Sequence, residues 1–231
     1  MLTTLRKYRW HVLILLFFTP YLVVKAIGGG DFRILLTGAA YLRNGISPYG
    51  TNMAIPGGTT DVFLYSPFVA FIITPLTYLP EFIPVFAFLI LNLLLVFRLW
   101  WLIGEWLNIR MLTPLLQKWW LGLTVFFLLR FVLHNFEKTQ MNIVVLYLSV
   151  EGMYQILIKE KISGAFLLAL GICLKILPIV FLPYLLYKKK IASSLAIALA
   201  CMVFLLIPAT VIGFHFNNEL LTGWWRCIRS Q

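Results

Sequence analysis

Chemistry in this chain has few residues to work with. Asp31 stands directly behind the first apolar segment, and Lys175 opens Lys175-Ile-Leu-Pro178 near the middle of a later one. A carboxylate just outside a membrane span can accept the proton of a hydroxyl nucleophile or orient it; in the same place it can simply cap a helix N-terminus. A cation at a proline-marked break in an apolar segment suits a lipid phosphate as a point charge, or it snorkels to the interface. Between the two lies the polar run His134-Asn135-Phe136-Glu137-Lys138-Thr139-Gln140-Met141-Asn142, which is either a solvated loop or a sugar-binding cluster. In the second case His134, Gln140 and Asn142 are the candidates to hydrogen-bond sugar hydroxyls.

Further polar residues each carry two readings. Arg33 and Arg43 flank a short helical pattern and suit either a phosphate or lipid headgroups, while Tyr49 and Tyr65 suit stacking on a sugar or anchoring a loop. Glu151 lies mid-segment and Arg130 late in the segment before it, which suggests a structural pair, because charges in lipid need partners. No Walker-type glycine loop, HExxH, CxxC or nucleophile elbow is present, which argues against nucleotide hydrolysis and metalloprotease chemistry. Cys173, Cys201 and Cys227 have no motif spacing, and no cluster has metal-ligand spacing. No cofactor is expected, although Asp31 could share a divalent ion with a substrate phosphate.

The elements that must position these residues are hydrophobic. Of 231 residues 61% are hydrophobic and 12% charged, with a mean hydropathy of +0.93. Soluble domains are about a quarter charged, so this is an integral membrane protein with room for roughly seven spans of about 20 residues. Trp10, Trp100, Trp101, Trp119, Trp120, Trp224 and Trp225 lie near segment ends, as in interfacial belts. The net charge of +11 resides in dispersed residues and runs such as Lys188-Lys189-Lys190, which read as topology signals facing anionic lipid and not as a nucleic-acid interface.

In chain order, Arg6, Lys7 and Arg9 precede a first span over 10–27, read as uncleaved with its N-terminus in the cytoplasm. An outer loop over 28–62 follows and holds the candidate site. Within it Asp31–Arg43 has the spacing of a short amphipathic helix at the membrane surface, with Asp31 as N-cap and Asn44-Gly45 as stop. Ser47-Pro48-Tyr49-Gly50 and Pro56-Gly57-Gly58 punctuate the rest as turns. Membrane helices then occupy 63–214, and 215–231 is an outer tail. A break is expected at Lys175, returning the chain so that Lys159 and Lys161 share a side with Lys188–Lys190. Parity then requires one segment to be re-entrant or interfacial, and the one beginning Phe63-Leu64-Tyr65-Ser66-Pro67, interrupted at Pro75, is the candidate.

The order Asp31-Phe32, Ala39-Ala40, Gly45, Pro48-Tyr49, Tyr65-Ser66-Pro67, Pro75-Leu76 resembles the first outer loop of C-type glycosyltransferases that use polyprenyl-phosphate sugars. It looks most like the family 87, mannosyltransferase-like group. Thr139-Gln140-Met141-Asn142, followed by Gly164, Gly171, Lys175 and Pro178, resembles that family's Gly-Gln-x-Asn and Gly…Lys-x-x-Pro patterns, with Thr139 where the family has glycine. The resemblance covers about 28–187 and implies an all-α, polytopic helical bundle in one membrane domain, 1–231. It implies inverting transfer of a hexose such as mannose from a polyprenyl-phosphate donor to a glycan or glycolipid acceptor. Asp31 would be the base, Lys175 and Arg33 would offset charge on the lipid phosphate, and Gln140 and Asn142 would line the cavity. It also implies a bacterial plasma membrane with the site facing outward, and a chain that looks like the N-terminal portion of longer relatives. The competing readings are half of a transporter or lipid flippase, and a non-catalytic membrane scaffold.

Overall fold

A computed structural model of the chain describes residues 17–50, 52–55 and 58–230. Arg6, Lys7 and Arg9, the start of the expected first span and the dipeptide Pro56-Gly57 lie outside the described residues. The described residues are helical apart from one two-stranded hairpin. Helix α1 (Phe17–Gly28) leads into α2 (Gly30–Arg43). The hairpin pairs β1 (Met53–Ile55) antiparallel to β2 (Thr59–Asp61), with Met53 opposite Asp61. Helix α3 (Pro67–Ile73) tightens into a 3₁₀ turn (Thr74–Tyr78) where Pro75 removes a backbone donor. Then come α4 (Phe82–Trp106), α5 (Pro114–Lys138), α6 (Asn142–Leu157) and α7 (Ser163–Leu174). A 3₁₀ turn (Leu177–Val180), α8 (Phe181–Tyr187), α9 (Ile191–Leu206), α10 (Ala209–Ile212) and α11 (Phe214–Arg229) complete the order. Among the described residues three helical stretches are long and apolar enough to cross a membrane: Phe82–Trp106, Pro114–Lys138 and Ile191–Ile212. The fold class that the resemblance implies, an all-α membrane bundle, is the one observed.

The charges locate the two ends of the bundle. Lys190 pairs with Glu160 at 2.8 Å, which sets the lysine cluster after α8 beside the one that follows α6, as the charge pattern requires. Lys159 lies 3.9 Å from Glu105 near the end of α4, at the same end. Asp31, Gln140 and Lys175 mark the opposite end. Both ends of the α3 segment are there too. Ser66 Oγ donates to the Cys173 carbonyl at 2.6 Å, and Arg43 donates to the Thr77 carbonyl at 3.1 Å. Glu81, just past the segment, pairs with Arg33 near Asp31, so the segment starts and ends on the Asp31 side of the bundle.

Packing explains why these turns hold. The apolar face of α2 is not left to lipid: Phe32, Leu35 and Ala39 are buried, and the Phe32 ring stacks on Phe88 of α4 with centroids 4.3 Å apart. Gly38 leaves the space that the Phe63 ring fills. Helices α6 and α7 touch backbone to backbone at Gly152 and Gly164, where a Cβ on Gly152 would lie 2.8 Å from the Gly164 carbonyl oxygen. Met153, Ile156, Leu168, Leu185 and Ile197 close a second core behind that contact.

Two expectations need correction. Asp31 is not the N-cap of α2; that position is Gly29, and Asp31 sits in the first turn, because two consecutive positive-φ glycines let the helix start earlier. Glu151 is paired not with Arg130, which is exposed on α5, but with Arg98 of α4 at 3.0 Å. The segment expected as an outer tail from residue 215 is an amphipathic helix, α11, with Leu220 fully buried and the Trp224 indole donating to the Leu64 carbonyl at 3.1 Å. Because α6 and α7 have no room between them, Gly164→Val should cost about 1–3 kcal/mol through overpacking. A lowered thermal unfolding midpoint of the detergent-purified protein checks this, with Gly122→Val, at a position open to its surroundings, as the control that should stay near wild type.

Candidate active site

Three helix breaks meet at the Asp31 end, and together they deliver four polar residues, two of them, Gln140 and Asn142, after the break at Thr139. The first is Gly29-Gly30, with φ of +74° and +51°, angles that glycine adopts without the Cβ penalty. Gly30 also lies so close to the end of α5 that a Cβ there would meet the Thr139 hydroxyl at 2.8 Å. The second break is Thr139, in the left-handed region at φ 52°, ψ 46°. Thr139 N–H donates to the Phe136 carbonyl at 3.3 Å and Gln140 N–H to the Asn135 carbonyl at 3.0 Å, the paired bonds of a Schellman motif. Glycine is the usual residue at such a position, a physical reason for the glycine of the motif that Thr139-Gln140-Met141-Asn142 resembles. The third break is Lys175, extended at φ −144°, ψ 131°. The Cys173 carbonyl near the end of α7 takes the Ser66 hydroxyl as its partner.

The four residues so delivered form one hydrogen-bonded line. Lys175 Nζ donates to Asn142 Oδ1 at 2.7 Å, Asn142 Nδ2 donates to Gln140 Oε1 at 2.7 Å, and Gln140 Nε2 donates to Asp31 Oδ2 at 2.9 Å. Every donor points towards the carboxylate. The charges at the two ends fix both amide orientations, since reversing either would set donor against donor or oxygen against oxygen. One of the three ammonium donors of Lys175 is used in this line, leaving donors that can face the cleft. Burial holds the Lys175 ammonium below the ordinary lysine range, and the Asp31 charge acts in the opposite direction.

A cleft of about 460 Å³ opens beside Asp31 and Lys175. Its other polar walls are Asp61 at the end of β2, Tyr65, and Trp224 from α11. Burial first, then the Asp31 and Asp61 charges, pushes the Tyr65 phenol up to about 12, so it remains a neutral hydroxyl at physiological pH. Asp61 Oδ1 accepts from the Val62 N–H at 2.8 Å. Neither Asp61 nor Trp224 was singled out as a site residue from the sequence. Asp61 stands in a loop with no motif spacing, and Trp224 lies about 160 residues from Tyr65 in what read as a tail.

The structure brings Asp31, Gln140, Asn142, Lys175 and Tyr65 together, and separates three other candidates from them. Arg33 is ion-paired with Glu81 and faces a different depression, beside Thr37 and Ala40. Two residues along a helix is more than half a turn, so Arg33 cannot share the face of Asp31 and Ile34. Tyr49 is buried, donates its hydroxyl to the Tyr65 carbonyl at 2.7 Å and packs on Phe63; it anchors the loop and offers no stacking face. His134 is exposed on α5 and is not in the cleft wall. Among the described residues no group of three or more His, Cys, Asp or Glu side chains converges.

A family model described as glycosyltransferase family 87 matches residues 63–229. The matched span contains Gln140, Asn142, Lys175 and Trp224 and begins after α2, so Asp31 lies upstream of it. No curated protein and no solved structure matches the chain. Thr139 has a buried hydroxyl without a hydrogen-bond partner in addition to its left-handed backbone. Relieving both, Thr139→Gly should raise stability by about 1 kcal/mol. The check is a higher thermal unfolding midpoint, with Thr139→Val, which removes the hydroxyl but keeps a β-branched residue in the left-handed region, gaining less.

Proposed function

The chain belongs to glycosyltransferase family 87, and from that premise we propose that it transfers a hexose, mannose in the favoured case, from a polyprenyl-phosphate sugar to a glycan or glycolipid acceptor. The observation that carries this reading is the line from Lys175 through Asn142 and Gln140 to Asp31 along one cleft. It sets a base and a phosphate-binding cation at fixed separation, which is what a single displacement at an anomeric carbon needs.

In this reading the acceptor hydroxyl lies against Asp31, and its oxygen attacks the anomeric carbon while its proton passes to the carboxylate. The bond from that carbon to the phosphate oxygen breaks on the opposite face, so configuration inverts. The departing phosphate gains charge as it leaves, and Lys175 offsets that charge within a partly desolvated cleft. Gln140 and Asn142 hold both charged groups in place and act as positioning residues. Arg33, engaged with Glu81, has no part in this step.

The lipid part of the donor is accommodated by a groove of about 490 Å³ that is apolar except for the Tyr147 hydroxyl. Leu174 walls both the groove and the cleft, and Phe32 and Met141, which line the groove, are chain neighbours of Asp31 and Gln140. A prenyl chain lying between α4, α6 and the α3 segment would place its phosphate beside Lys175. A bacterial plasma membrane with the Asp31 end outward agrees with the lysine clusters at the other end.

The test is transfer of labelled hexose from a panel of polyprenyl-phosphate sugars to membrane extract, using the full chain in nanodiscs. Asp31→Asn should lower the rate by about 10²–10⁴ with unfolding unchanged, and Lys175→Met should lower kcat with little effect on acceptor KM. Equal product from the wild type and Asp31→Asn would remove Asp31 from the mechanism.

A further inference from the structure

At the end of the bundle away from Asp31, a polar depression of about 280 Å³ opens between α4, α6 and the turn that follows α6. Most of its polar groups already have partners. Glu151 accepts from Arg98 at 3.0 Å and from Gln155 at 2.9 Å, and the Tyr154 hydroxyl donates to Glu105 at 2.9 Å. Lys159 lies 3.9 Å from Glu105. The Lys161 ammonium has no such partner among the described residues. Three cations, Arg98, Lys159 and Lys161, therefore line the depression with two carboxylates, Glu105 and Glu151. One positive charge is in excess, and a singly charged anion balances it.

An apolar groove of about 430 Å³ lies on the adjoining faces of the same two helices, with α8 along its other side. On α6 the groove takes Met153 and Leu157 while the depression takes Glu151 and Tyr154. At 3.6 residues per turn these are neighbouring faces of one helix. On α4 Glu105 lines the depression, and Trp106, next in the chain, lines the groove. The Trp106 and Tyr154 rings meet at 5.8 Å between centroids, and this pair marks the boundary between the polar and apolar spaces. The depression also sits at headgroup depth. Its α4 residues come from the last turns of a membrane-crossing helix, and Trp101 is exposed there as interfacial aromatics are.

We infer that the depression and the groove together bind one anionic phospholipid, in the leaflet at the lysine-rich end of the bundle. Its phosphodiester lies against Lys161 and Lys159, which act as point charges, and one acyl chain lies between α6 and α8. A free phosphate would leave the groove unfilled, and a zwitterionic phospholipid would leave the excess charge unbalanced. None of these residues belongs to the Asp31–Lys175 line, so the site stands or falls independently of the transfer reading.

The experiment is native mass spectrometry of the full chain released from nanodiscs of equimolar phosphatidylglycerol, phosphatidylethanolamine and phosphatidylcholine. Wild type should retain one phosphatidylglycerol, enriched about tenfold over phosphatidylethanolamine. Lys161→Met should cut that enrichment by about fivefold, the worth of one lysine beside an anionic headgroup. The double variant Lys159→Met/Lys161→Met should retain lipids in the bulk ratio. Lys189→Met, which removes an exposed lysine at the same end, should stay within about twofold of wild type. Val180→Trp fills the groove without changing a charge and should abolish retention. It carries the test if a lysine variant melts early. sn-Glycerol 3-phosphate, added in excess before release, should leave the lipid in place; its displacing the lipid would make a free phosphate the ligand and overturn the inference. Enrichment equal in wild type and the double lysine variant would overturn it as well. So would phosphatidylethanolamine retained as strongly as phosphatidylglycerol, or retention unchanged in Val180→Trp.

Discussion

A carboxylate and an ammonium held in an apolar bundle must be joined to something, and in this protein they are joined to each other through two amides. Direct contact would neutralise both groups and leave neither for a substrate. The Gln140–Asn142 bridge keeps them apart while satisfying them, and the opposite charges at its ends choose the orientation of each amide. Much of the architecture at this end follows from that requirement. A regular helix cannot spend its backbone or its polar side chains in this way, so α1, α5 and α7 all stop at this end: at a glycine pair, at a left-handed threonine and at an extended lysine.

The short polar motifs around the cleft serve this arrangement more than they serve a ligand. The Tyr49 hydroxyl satisfies the Tyr65 carbonyl, and the Ser66 hydroxyl satisfies a carbonyl in the last turn of α7. Pro-Tyr and Tyr-Ser-Pro are therefore the hydrogen-bonding that lets irregular backbone persist beside apolar helices, where an unpaired carbonyl costs several kcal/mol. At the other end charge is treated differently. Glu151 is shared by Arg98 and Gln155, and Lys190 is paired with Glu160, so the acids there are largely occupied by neighbouring side chains.

How much of this was legible in the residues depended on whether the signal was local. The break at Lys175 was, because proline and lysine in an apolar run act within one turn. The α2 helix was, because its period is carried by its own side chains. The re-entrant α3 segment followed from charge parity, which is a global count but one that survives any packing. Direction along a helix was legible in principle and missed: Arg33 is two residues from Asp31, which places it on another face whatever the tertiary structure. The partner of Glu151 was not legible, since Arg98 and Arg130 both lie on long apolar helices and only packing brings one of them within 3.0 Å. Nor was the placement of Trp224, which depends on α11 folding back onto the loop at Leu64, formed much earlier in the chain.

That last contact indicates how the labour is divided. The floor of the cleft is built from helix breaks, and its groups sit at fixed separation because changing it would require moving whole helices. The roof is a two-stranded hairpin, the loop that follows it, and one amphipathic helix that packs on α3 and bonds that loop at Leu64. Met53, Phe63 and Leu220 anchor this roof in the main core, and its exposed positions accept substitution more readily than the floor does. A site made this way keeps its charged groups at fixed separation in the floor, and changes of lining fall most easily on the exposed positions of the roof, away from the motifs through which the floor was read.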